Sequence, residues 1–153
     1  IKVDLIILGG LIMKIPRHLA HEPVVVLEDY DKIDGSNVNN SDAKGLSLGF
    51  AQYNNRDISA KVWRYSESGK KWSRQSEELP LNRVLDLALL ILKTKLLLNG
   101  NFKENTLSQN DISLNIDFED LKKVEEFKTI FKNYDSKYLN ERIKDLKKVI
   151  NQL

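Results

Sequence analysis

Cysteine is absent from the chain, which excludes a disulfide framework, a thiolate nucleophile and a cysteine-ligated zinc or iron–sulfur centre. A reducing, cytoplasmic compartment suits such a composition. Long apolar runs are missing too. A helix that crosses a bilayer needs ~20 mostly apolar residues, and the richest stretch, VLDLALLILKTKLLL at 84–98, is broken by Asp86, Lys93 and Lys95. It reads as a buried core helix, and no membrane partner is expected. Nor does one sign of charge prevail: 24 Lys and Arg face 22 Asp and Glu, a net charge of +2, so no global field draws the molecule toward nucleic acid or anionic lipid. Histidine is scarce. His18 and His21 stand three residues apart with no third ligand beside them, which fits surface residues near prolines better than a zinc site. There is no glycine-rich phosphate loop, metalloprotease helix or serine triad. GLSLG at 45–49 has the letters of a nucleophile elbow, but Ser47 falls inside an alternating strand and not at a strand-to-helix turn. None of these positions predicts a catalytic residue, a metal or a cofactor.

What is present describes a soluble domain. Hydrophobic residues make up 41% and charged residues 30%, a globular balance, and 153 residues suffice for one core. Met13 is the sole methionine, preceded by LGGLI, a string that a low-GC genome can encode with a ribosome-binding sequence. Translation is therefore expected to start at Met13, with 1–12 a non-native leader and 13–153 a single domain. The competing reading makes 3–8 an edge strand turned at Gly9 and Gly10.

Along the chain, Val24 to Leu27 is a continuous β-branched run that predicts a strand covered on both faces. Residues 28–42 form a polar loop. GLSLGFAQYN at 45–54 alternates, with Leu46, Leu48 and Phe50 on one face. After a turn at 54–57, ISAKVWRYS alternates again: Ile58, Ala60, Val62 and Arg64 share one side, Ser59, Lys61, Trp63 and Tyr65 the other. A second turn at 68–71 leads to a third, shorter strand at 72–81, which Pro80 confines to an edge or strand end. Asn82 is placed to cap the next helix, which Asn99-Gly100-Asn101 ends. Residues 102–116 read as a connection. From Asp117 an amphipathic pattern runs through Phe118, Leu121, Val124, Phe127 and Phe131, breaks at 133–136, and resumes at Leu139, Ile143, Leu146 and Ile150, predicting a helical hairpin. The architecture expected is α+β: an antiparallel β-meander of about four strands packed on a central helix that ends near 98, with a C-terminal helical pair over 117–152.

Two regions carry candidate chemistry. Residues 22–42 hold six acids and one lysine. Within them Lys32-Ile33-Asp34-Gly35 matches the Lys-x-Asp-Gly that opens the active site of nucleotidyltransferases. A nucleophilic lysine needs a lowered pKa, whereas Glu28, Asp29, Asp31 and Asp34 around Lys32 favour its ammonium. The spacing also fails the EF-hand pattern, with Ile33 where an oxygen ligand belongs and Asp34 where glycine belongs. An enzyme built on this loop, metal-dependent or a reduced nucleotidyltransferase, is the alternative reading. Residues 44–75 have the opposite character, with seven cations against two acids, on the strands that carry the aromatic rings. Lys61, Trp63 and Tyr65 share a sheet face, and Trp72 and Arg74 lie on the neighbouring strand. Cations interleaved with rings can hold single-stranded nucleic acid, phosphates on the cations and bases stacked on the rings. The preferred expectation is thus a non-enzymatic binding module for single-stranded nucleic acid through Lys61, Trp63, Tyr65, Trp72 and Arg74. It requires Trp63 to be open to water. The competing arrangement buries Trp63 and Tyr65 beneath the C-terminal helices. The amphipathic tail is also a candidate surface for a homodimer or a protein partner.

The strings EDYDKIDG, DAKGLSLG, DISAKVW and WSRQSEELPL, followed by RVLDLA, resemble a family of small bacterial proteins of unknown function. The resemblance covers residues 28–88 and implies no activity. In topology, strands leading through a turn into a capped helix are also similar to the transcriptional-coactivator type of single-stranded-DNA-binding domain. That resemblance implies a curved antiparallel sheet and a dimerising helix, although the helical tail here is foreign to that family.

Overall fold

The structure, a computed structural model, describes residues 14–74, 77–100 and 120–153. The leader at 1–12, the connection at 102–116 and the expected helix start at Asp117 lie outside the described residues. The chain divides into two compact units, Ile1–Leu85 and Asp86–Leu153.

The first unit is an antiparallel sheet. Strands β1 (Glu22–Glu28), β2 (Ala43–Phe50) and β3 (Ile58–Ser66) form a meander. The far edge of β3 is shared by two short strands, β4 (Lys71–Trp72) beside Tyr65 and Ser66, and β5 (Glu78–Pro80) beside Ser59 to Lys61. Expected as one strand, 72–81 is therefore two, and β5 stops at Pro80, which has no N–H to extend the ladder. The register pairs Gly45 with Trp63, Ser47 with Lys61, Gly49 with Ser59, and Lys61 with Glu78. Because side chains alternate along each strand, these residues share one face with Val26 and Glu28. Leu27, Leu46, Leu48, Ala60, Val62 and Leu79 share the other. The α+β class and the antiparallel meander agree with the sequence pattern. The β1 run does not have both faces covered: as the edge strand it leaves Val24, Val25 and Leu27 exposed.

Helix α1 (Leu81–Leu98) begins directly after Pro80, a residue that cannot donate and often stands at a helix start. Asn82 accordingly lies inside its first turn. In the second unit, α2 (Leu121–Tyr134) is capped by the Asp120 side chain, which accepts from the Lys123 amide at 3.0 Å. The break expected at 133–136 is a π-helical turn, Asp135–Leu139, that runs on into α3 (Asn140–Ile150) without reversing the chain. Lys95 of α1 holds that turn, donating to Asp135 at 2.7 Å and to Asn140 at 2.7 Å. A widened turn presents these two acceptors together, which a hairpin loop would have separated.

Candidate functional site

The geometry of the first unit converges on the face that carries Ser47, Lys61 and Trp63. Residues 14–21 cross that face ahead of β1. Gly45 of β2 makes room for them, since a Cβ there would collide with the Ile15 side chain, and Gly49 admits the start of β1, where a Cβ would collide with the backbone of Glu22 and Pro23. Ile15 is buried, and its amide donates to the Glu28 carboxylate at 3.2 Å.

At the other end of this segment His21 is fully enclosed, with 0% of its surface exposed, and becomes the hub of a polar cluster. Its Nε2 lies 3.0 Å from Ser47 Oγ and its Nδ1 lies 3.0 Å from Ser59 Oγ and 3.3 Å from Glu78 Oε1. The indole Nε1 of Trp63 donates to Ser47 Oγ at 2.8 Å, the Ser59 hydroxyl donates to Glu78 at 2.7 Å, and the Gln52 amide donates to the same carboxylate at 2.9 Å. This network assigns the protons. The Glu78 carboxylate can only accept and Ser59 already donates to it, so neutral His21 carries its proton on Nδ1, directed at Ser59 and Glu78; Nε2 then accepts from the Ser47 hydroxyl, whose oxygen accepts from the Trp63 indole.

Burial pushes the His21 imidazole below its ordinary value, against the hydrogen bond and charge of Glu78, and Lys61 adds to the lowering. Burial also lowers the Lys61 amine, opposed by Glu78. For Glu78 burial acts upward, but the bonds from Ser59, the Gln52 amide and His21 outweigh it and hold the carboxyl below the usual range.

Serine, imidazole and carboxylate in series are the components of a hydrolytic triad. Here, however, Ser47 is buried in mid-strand, where no substrate can reach its hydroxyl, and its oxygen accepts from the Trp63 indole. Among the described residues no buried side-chain nitrogen or oxygen lacks a partner. The cluster is closed on itself, and its chemistry is cohesion: it ties the segment at 14–21 to three strands.

Four of the five sequence-predicted residues come together. Lys61 Nζ stands 4.2 Å above the Trp63 ring, within cation–π range. The rings of His21, Trp63, Trp72 and Tyr65 follow edge to face at 5.9, 5.9 and 5.4 Å. Accessibility divides them. Trp63 is 1% exposed and Lys61 8%, so the open indole expected of the hairpin is not found, and the cover comes from the N-terminal segment. Tyr65 and Trp72 are half-buried, and Arg74 is exposed. His21, expected at the surface, is the most enclosed of the group, while His18 is exposed as expected. Sequence reasoning missed the hub because its members come from four separate segments. The one readable sign was the small-residue run Gly45, Ser47, Gly49 opposite Leu46, Leu48 and Phe50, which marks a close approach of another chain segment.

The acidic loop lies apart from this cluster as two short 3₁₀ turns, Tyr30–Lys32 and Gly35–Asn37. Lys32 is 71% exposed and pairs with Asp29 at 3.3 Å. Asp31 pairs with Lys44 at 3.0 Å, Asp34 accepts from Ser41, and Asp42 and Glu77 share Arg64. Among the described residues no three His, Asp or Glu converge to hold a metal ion, and no helix is long and apolar enough to cross a membrane.

Neither a curated protein nor a solved structure matches the chain. A family model does match, over residues 13–153, that of a family of unknown function, DUF6530. The resemblance read from the strings at 28–88 thus extends over nearly the whole sequence, and the chain belongs to that family.

Proposed function

We propose that the protein is a non-enzymatic binding module, and that the turn and edge strand after β3 take single-stranded nucleic acid. The observation that carries this reading is the half-buried Tyr65–Trp72 pair, 5.4 Å between centroids, at a sheet edge flanked by exposed Lys70, Lys71 and Arg74. Bases stack on such rings and phosphates pair with such cations. Trp63 and Lys61 then act from beneath, as the packing that holds Trp72 in place.

Fluorescence titration with a short oligonucleotide tests it. Quenching should weaken as salt rises, because displaced counterions favour binding at low salt. Stacking contributes about 1–3 kcal/mol per base, so Trp72→Ala should weaken binding roughly 5- to 150-fold. Absence of salt-sensitive quenching, or its persistence in Trp72→Ala, overturns the reading.

A further inference from the structure

We propose that residues 14–21 are an acid-released latch: closed, they seal Trp63 and Lys61 against the sheet, and protonation of His21 lets them go, presenting indole and ammonium to solvent. The latch has two fastenings, Ile15 seated over Gly45 and His21 at the hub. Between them Arg17 to Ala20 are exposed, so only the ends hold it down. Gly45 is the cross-strand partner of Trp63, and the His21 ring stands edge-on to the same indole at 5.9 Å; both fastenings therefore border Trp63.

The hub favours a neutral imidazole, because enclosure and the Lys61 ammonium outweigh the Glu78 carboxylate beside Nδ1. Three charged or titratable groups meet there: His21 from the latch, Lys61 from β3 and Glu78 from β5. With His21 neutral, one ammonium balances one carboxylate. A proton on Nε2 adds a second positive charge against that single carboxylate in a site closed to water. It also turns Nε2 into a donor facing Ser47, whose oxygen already accepts from Trp63. The Ser47 hydroxyl proton then loses Nε2 as its acceptor, and losing a buried hydrogen bond is destabilising. Released, the imidazolium is solvated, and what keeps β1, β2 and β3 paired, their backbone ladder, is untouched. The inference stands on its own whether or not the edge strand binds nucleic acid.

Acrylamide quenching in a Trp72→Phe background, where Trp63 is the sole tryptophan, reads the latch directly. Trp63 should be shielded at pH 7.5 and become quenchable as pH falls below about 6.5, the ordinary histidine value, with the sheet signal in circular dichroism intact. The change should be absent when His21→Gln is added. Ile15→Ser, which loosens the other fastening, should move the release to higher pH. Hydrogen exchange on the unaltered protein supplies a readout without variants. Corrected for intrinsic rates, residues 14–21 should lose protection between pH 7.5 and 5.5 while β2 and β3 keep theirs. Trp63 shielded until the whole sheet unfolds, the same profile in His21→Gln, or protection lost together across latch and sheet would each overturn the proposal.

Discussion

On one face of the sheet the buried side chains are His21, Ser47, Ser59, Lys61 and Trp63, whereas the opposite face presents Val25, Leu27, Leu48, Phe50 and Ile58 to solvent. Hydrophobicity alone would assign the two faces the other way round. The difference lies in β2. Its leucines and Phe50 stand up on the apolar face, while Gly45, Ser47 and Gly49 on the other leave a trough that backbone and an imidazole can enter. Polar groups are tolerated in that trough because, among the described residues, no fully enclosed side-chain nitrogen or oxygen lacks a partner, and an unmet one costs about 1–3 kcal/mol. The lesson concerns what selects a buried face: close approach and hydrogen-bond closure decide here, and the apolar side is left with a groove of about 680 Å³ lined by Val25, Leu46, Ala60, Val62 and Leu79.

The most damaging way to break this contrast is to empty the polar side. Trp63→Ala removes the largest enclosed side chain and should cost about 3–5 kcal/mol in urea unfolding. Gly49→Ala comes next, at about 1–3 kcal/mol, since its Cβ meets the backbone of Glu22 and Pro23, which cannot swing aside. Gly45→Ala should cost less, because the flexible end of Ile15 can give way. Ser47→Ala leaves the Trp63 indole N–H and His21 Nε2 without their partner, for about 1–3 kcal/mol. A smaller loss for Trp63→Ala than for a surface substitution would mean that the polar face is not the core.

Titration sharpens the contrast, because three groups enclosed on the polar side, His21, Lys61 and Glu78, are shifted by burial and by one another. The His21 pKa is lowered on folding, so below about pH 6.5 the unfolded chain takes up a proton that the folded hub refuses. Stability is therefore complete above that pH and declines as pH falls toward the lower, folded value. Glu78, also lowered, continues the decline at more acid pH, its contribution being lost as pH falls through its folded value. Lys61 works in the opposite range. Its lowered amine makes the buried ammonium a cost at neutrality that fades as pH rises toward the ordinary lysine value, and Lys61→Met should abolish that alkaline gain. Urea midpoints measured across pH for the native chain, His21→Gln and Lys61→Met separate the three contributions.

Much of this contrast is written in the alternation of β2 and β3. The pattern places Lys61, Trp63 and Tyr65 together, and Leu46, Leu48 and Phe50 together, as the register does. Alternation cannot tell which side is covered, because that depends on a segment more than twenty residues upstream. His21 near Pro23 carries no local signature of burial; only its distant partners, Ser47, Ser59 and Glu78, enclose it. The same limit explains the tail. A break in the amphipathic pattern at 133–136 is legible, but its form, a π turn and not a reversal, is not, and the lysine that donates into it, Lys95, comes from forty residues away.

The smallest expected effect is the sharpest on the apolar side. Val25, on the edge strand β1 and paired with Leu48, is 62% exposed. Val25→Thr keeps the shape and the β-branching that suit a strand and places a hydroxyl where water already reaches. Stability should change by no more than about 0.5 kcal/mol, and the variant should resist aggregation better, since an apolar edge strand invites pairing between chains. A loss above about 2 kcal/mol in the same urea measurement would show that this face is enclosed in solution. A loss that also shrinks on dilution would assign the cover to a second copy of the chain, because only an intermolecular contact depends on concentration.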